Sequence, residues 1–153
     1  MYPETLVIES VGLGLVVSLI FSETMGLAAG GMVVPGYVAL MLGAPLRLIG
    51  TIIIALLTFS LIKFLSNYMF IYGKRRTVLV ILIGFALGWL SRTFFVIHVE
   101  GLSIEFQSIG YIIPGLIANW MERQGAIQTI CTMIIAAVIV RLCLIIFGGG
   151  GIA

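Results

Sequence analysis

The chain has 153 residues, of which 61% are hydrophobic and 9% charged, with a net charge of +2 and a mean hydropathy of +1.27. A soluble domain carries about 25% charged residues, so this chain cannot clothe a water-facing surface and reads as an integral membrane protein. A net charge this small gives no electrostatic footprint for nucleic acid.

The first apolar segment covers about 5–21. Ser10, Gly14, Ser18 and Ser22 recur at every fourth position, which lays a small-residue stripe along one helix face and lets a second helix approach closely in lipid. Glu9 lies inside this segment. It faces the bundle or a wet cavity, or it sits at headgroup level; both readings are open. Glu4 and Glu9 stand where a cleavable signal would carry its basic region, so no such signal is expected. Residues 22–26, with Glu23, read as a polar break. The segment that follows, 27–42, carries Gly30, Gly31, Pro35 and Gly36 and is short for a simple span of ~20 residues. A third segment, 46–65, has Arg47 and Lys63 near its ends, where long basic side chains reach the interface.

The middle loop, 66–77, holds Tyr68, Tyr72 and the adjacent Lys74, Arg75 and Arg76. Three consecutive basic residues in a short loop place it in the cytoplasm; they also suit a phosphate or an acidic partner. The fourth segment, 78–97, contains the close-packing pair Gly84 and Gly88 and an internal Arg92. A polar stretch over 98–108 has Glu105 and the only histidine, His98. No His, Cys and Asp cluster has ligand spacing, so no metal site is expected. A second short segment, 109–121, ends near Asn119 and the expected interfacial anchor Trp120 and is followed by Arg123 and Gln124. The last segment, 127–147, contains Arg141, and Gly148 to Gly151 read as a flexible tail. Cys131 and Cys143 in this last segment are about 18 Å apart along a helix, beyond a disulfide's reach, and are expected to be buried small hydrophobes.

The two short segments resemble each other. Gly31-Met32-Val33-Val34-Pro35-Gly36-Tyr37-Val38-Ala39 recurs as Gly110-Tyr111-Ile112-Ile113-Pro114-Gly115-Leu116-Ile117-Ala118. Glycine, proline, glycine and alanine keep their places, which points to duplication. The expected fold is therefore all-α: one membrane domain over 1–153, made of two tandem repeats over about 5–65 and 78–147. Each repeat is a long helix, a short helix broken at Pro-Gly, and a long helix. Interrupted backbone survives in lipid only where protein or water satisfies it, so both breaks should be buried together near the centre. Such paired interruptions point to a polar site at the repeat interface. If both short segments cross, the halves are inverted and both termini lie outside; if both re-enter, the termini are inside. The distribution of basic residues favours crossing.

No phosphate-binding loop, GxGxxG turn or GxSxG elbow is present, and no cofactor is expected. The residues alone thus end at a small polytopic membrane protein with a duplicated core.

Ser18-Leu19-Ile20-Phe21-Ser22-Glu23, Met25-Gly26-Leu27 and Met32-Val33-Val34-Pro35-Gly36-Tyr37 together resemble the start of the poly-γ-glutamate capsule biosynthesis protein C family (PgsC, also called CapC). Tyr72-Gly73-Lys74-Arg75-Arg76 is similar to that family's basic turn. Ile109-Gly110-Tyr111-Ile112-Ile113-Pro114-Gly115-Leu116-Ile117-Ala118-Asn119 with Gln124-Gly125 resembles its second signature. The resemblance implies a multi-pass subunit of the cytoplasmic membrane, in a complex that makes and exports poly-γ-glutamate for a capsule. It implies a separate ATP-dependent amide ligase (PgsB or CapB) and an extracytoplasmic subunit (PgsA or CapA), with this chain non-catalytic. Lys74, Arg75, Arg76 and Arg123 then become candidates to dock the ligase or guide the anionic polymer. Pro35, Gly36, Pro114 and Gly115 would shape the polymer path, with Glu23, Asn119 and Gln124 lining it. Several copies in one complex are expected, because one small bundle makes a narrow pore. A stand-alone repeat-based transporter or channel and a purely structural anchor are the alternatives.

Overall fold

The structure, a computed structural model, describes residues 4–70, 73–98 and 112–147. Within them are six helices: α1 (Glu4–Met25), α2 (Val34–Met41), α3 (Pro45–Tyr68), α4 (Lys74–His98), α5 (Ile113–Gln124) and α6 (Ala126–Phe147). Four of these, α1, α3, α4 and α6, are long and apolar enough to cross a membrane. The expectations for Tyr72, Glu105 and the glycine tail lie outside the described residues.

Two boundaries differ from the sequence reading. Residues 22–25 are the last turn of α1, not a break. The Thr24 hydroxyl donates back to Ile20 O at 2.6 Å, which satisfies it without leaving the helix. The helix stops at Gly26, whose φ of +64° and N–H to Ser22 O at 3.1 Å form a left-handed cap. The prolines do not break helices either. Pro35 and Pro114 occupy the first turn of α2 and α5, where the missing N–H would have no intrahelical acceptor and the fixed φ is already helical. They therefore start the short helices, and ahead of Pro35 the irregular backbone of 27–33 leads in.

Packing follows from where the chain is small. A Cβ added at Gly14 would meet Gly36 N at 2.6 Å, and one at Gly36 would meet Ser10 O at 2.6 Å. Likewise a Cβ at Gly84 would stand 2.4 Å from Gly115 Cα, and one at Gly115 2.9 Å from Ile81 Cα. At both crossings backbone touches backbone, so α1 lies on α2 and α4 lies on α5. Each short helix takes its other cover from a more distant long helix: α6 packs on α2, and α3 packs on α5. Both prolines are buried, but α2 and α5 touch each other only lightly. The lead-in before α2 does meet α5, where a Cβ at Gly30 would lie 3.5 Å from Ile117 Cγ1, but most of the cover on each short helix comes from the long helices.

Buried contacts also give the chain directions. Ser10 Oγ donates to Gly36 O at 2.6 Å, and Ser18 Oγ lies 3.4 Å from Gly31 O. Rising numbers on one side meet falling numbers on the other, so 27–41 runs back along α1. The Gly84–Gly115 crossing and an Arg76–Glu122 ion pair make α5 antiparallel to α4 in the same way. One end of the bundle thus gathers the C-termini of α1, α3 and α5 with the N-termini of α4 and α6. The opposite end gathers the start of α1 and the end of α6, where Glu9, Leu13, Leu144 and Phe147 line a shallow groove.

The middle is filled by Val34, Val38, Ile117, Met121, Met133 and Val140, each no more than 1% exposed. Large apolar side chains such as Ile20, Leu57, Leu82 and Leu142 point outward, as they should where the surroundings are acyl chains. Cys131 is exposed and Cys143 half-buried, and both are free. The expectation of burial fails for Cys131 because Thr129, Thr132, Met133 and Ala136 take the inward face of α6.

Candidate functional site at the basic end of the bundle

Four arrangements meet at the end where α1, α3 and α5 finish. The first satisfies the irregular backbone before α2. Ala28 N–H donates to Gln124 Oε1 at 2.9 Å. Gln124 Nε2 donates to Ala28 O at 2.5 Å and to Thr129 Oγ1 at 3.1 Å. Thr129 Oγ1 in turn donates a hydrogen bond to Gly125 O at 2.8 Å, and Thr132 Oγ1 lies 3.3 Å from Ala28 O. One side-chain amide at the end of α5 thereby replaces the partners that a helix would have supplied at position 28. An unpaired buried backbone group costs about 1–3 kcal/mol, so the clasp makes this bend tolerable.

The second arrangement is a small cavity of about 110 Å³ lined by Ser18, Ser22, Glu23, Ala28, Gly31 and Trp120, with Leu19 and Met32 also on its wall. Glu23 is exposed at its rim. Gly31, at φ +127°, brings backbone against the indole: a Cβ there would lie 3.6 Å from Trp120 Nε1. The third is the ion pair between Arg76 in the first turn of α4 and Glu122 near the end of α5. Both charges stand at the unfavourable end of their own helix dipoles, and each offsets the other. The fourth is a set of exposed cations. Lys74 and Arg75 are exposed at the start of α4, and the Arg123 guanidinium lies 5.5 Å over the Trp120 ring, a cation–π contact.

The residues singled out in the sequence divide accordingly. Glu23 reaches the cavity, Lys74 and Arg75 are exposed on the same end of the bundle, and Arg123 is exposed there over the Trp120 ring. Arg76 is half-buried and engaged with Glu122. Pro35, Gly36, Pro114 and Gly115 are buried against long helices and do not line the small cavity. Gln124 spends its amide on Ala28 and Thr129. Asn119 is half-buried on α5, between the crossing and the clasp. Sequence reading missed Glu122, Thr129 and Thr132, and took Trp120 only as an anchor. Two threonines three apart in an otherwise apolar run were the available signal, since they share a helix face.

Comparison with known proteins gives a consistent answer. Residues 13–130 match the model of the family described as Capsule biosynthesis CapC. The chain is 38% identical over 114 residues to the PGA biosynthesis protein CapC of Bacillus subtilis (strain 168), an alignment that covers 74% of this chain and 76% of that one. It is 37% identical over 124 residues to the Capsule biosynthesis protein CapC of Bacillus anthracis, covering 80% and 83% respectively. No solved structure is significantly similar. The matched stretch contains both glycine crossings, the Ala28–Gln124 clasp and the Glu23–Trp120 cavity, and the chain belongs to the capsule biosynthesis CapC family.

Proposed function

We propose that this chain is the membrane subunit of a complex that makes poly-γ-glutamate and exports it for a capsule. In this reading it sits in the cytoplasmic membrane, seats the ATP-dependent ligase subunit (PgsB or CapB) on its basic end, and works beside the extracytoplasmic subunit (PgsA or CapA). The family match over 13–130 carries the reading. The gathering of Lys74, Arg75 and Arg123 at one end supports it, since exposed cations attract either an acidic docking surface or a polycarboxylate. The same cations set that end in the cytoplasm and put both termini outside, with the segments 27–42 and 109–121 both crossing.

The halves over about 5–65 and 78–147 act as inverted copies within a single membrane domain, as the like-placed crossings Gly14–Gly36 and Gly84–Gly115 suggest. The packed middle favours a polymer route along the outside of the bundle, between copies or against a partner, over a conduit through one chain. This weighs against the stand-alone channel. Pro35, Gly36, Pro114, Gly115 and Asn119 hold the helices that border the route; Glu23 faces it, and Gln124 fixes the bend beside it.

The test is a triple reversal, Lys74→Glu with Arg75→Glu and Arg123→Glu. Arg76 is spared because of its ion pair. Ligase co-purification should fall roughly tenfold or more, equivalent to about 1.4 kcal/mol, with the melting temperature unchanged. Undiminished co-purification with lost polymer export would transfer these cations from docking to polymer guidance. Normal surface polymer in cells lacking the chain would remove the proposal as a whole.

A further inference from the structure

The Glu23 cavity has the wrong charge for a polyanion. Poly-γ-glutamate bears a free carboxylate on every residue, and a lone rim carboxylate repels all of them. The polymer has one cationic group, the ammonium at its amino terminus, and that ammonium shares its carbon with an α-carboxylate. We propose that the cavity receives this amino-terminal residue, a substrate assignment that rests on the function proposed above.

The geometry fits such a head group. Glu23 makes no ion pair among the described residues, so its carboxylate is available to accept from an ammonium. Trp120 lines the same cavity with its indole N–H edge toward Gly31, a donor suited to the α-carboxylate beside the ammonium. Ser18 and Ser22 add hydroxyls to the wall; the Ser18 hydroxyl is held only by a long 3.4 Å contact to Gly31 O. The Arg123 guanidinium, stacked on Trp120, supplies a planar fork for the neighbouring α-carboxylate. Gly31 keeps side-chain atoms away from the indole N–H. A volume of about 110 Å³ suits a head group and excludes a passing chain, so the cavity reads one end of the polymer and the body lies outside it. The position of the cavity, on the same end as Lys74 and Arg75, lets those cations hold the carboxylates that trail behind.

The experiment uses the full chain in lipid nanodiscs with Trp89→Phe, which leaves Trp120 as the sole tryptophan. Trp120 fluorescence is titrated with a synthetic γ-glutamyl tetrapeptide, once with a free and once with an acetylated amino terminus. Acetylation should weaken binding about tenfold or more, the size of one charge-assisted hydrogen bond. Glu23→Gln should erase that difference, whereas Lys74→Glu with Arg75→Glu should weaken both peptides alike. Equal affinity for the two peptides, binding of neither, or a difference that survives Glu23→Gln would each overturn the inference. Surface polymer in a deletion strain is scored separately. Its loss beside a failed titration sinks the ligand assignment alone; its persistence sinks the capsule function, and the titration still decides what the cavity holds.

Discussion

At Gly84 and at Gly14 the room for a side chain is already occupied by another helix's backbone, and backbone cannot rotate away as a side chain can. Gly84→Ala should therefore lower stability by about 1–3 kcal/mol, the usual cost of overpacking, read as a lower melting temperature in detergent. Gly12→Ala is the matched control, since nothing lies within 4 Å of its added Cβ and alanine favours helix over glycine by up to about 1 kcal/mol. A Gly84→Ala protein that melts with the unmodified chain would mean that the crossing is looser than drawn. Gly84 as a place of close approach was legible from its spacing to Gly88. Its partner Gly115 was not, because the contact depends on the chain reversing before α5, and nothing local to residue 84 encodes where that reversal ends.

Between elements, the bend before α2 is held by a residue almost a hundred positions away. Gln124→Leu keeps side-chain bulk but removes both bonds to Ala28 and the one to Thr129. Loss of about 2–4 kcal/mol is expected from two backbone groups losing a partner, moderated at the carbonyl by Thr132. Thermal unfolding in detergent, together with faster amide exchange at Ala28, would register it; unchanged exchange there would show that the clasp is dispensable. The long helices were readable from apolar length, although α1, α3 and α4 each run several residues beyond the sequence estimate. Their caps sit in polar stretches that look like loops when judged by composition. The short helices were misread in a specific way. Pro-Gly looked like an interruption, but proline at a first turn costs no hydrogen bond, so the same two residues mark a beginning. Gln124 looked like a lining residue for a related reason: an amide's partner cannot be named until the fold has chosen it.

For the whole molecule, α2 and α5 are about 12 and 18 Å long by helical rise, against about 30 Å of hydrocarbon. Only α2 together with the irregular 27–33 lead-in traverses the depth of α1, and this makes the two ends of that stretch a test of topology. In a background with Cys131→Ala and Cys143→Ala, Met25→Cys should label from the cytoplasm and Gly43→Cys from outside. Labelling of both from one side would mean that the stretch turns back within the bilayer. The Ala28–Gln124 and Ala28–Thr132 bonds span 96 and 104 residues, which fixes an order of events during biosynthesis. A ribosome adding about 5–20 residues per second needs roughly 5–20 seconds to supply those later groups. Throughout that interval the newborn first half has a kink whose amide and carbonyl find no permanent mate, and acyl chains offer none. Position 28 stands at the membrane edge beside Met25, so water serves both groups meanwhile, and the kink is dried only when the last third of the chain arrives.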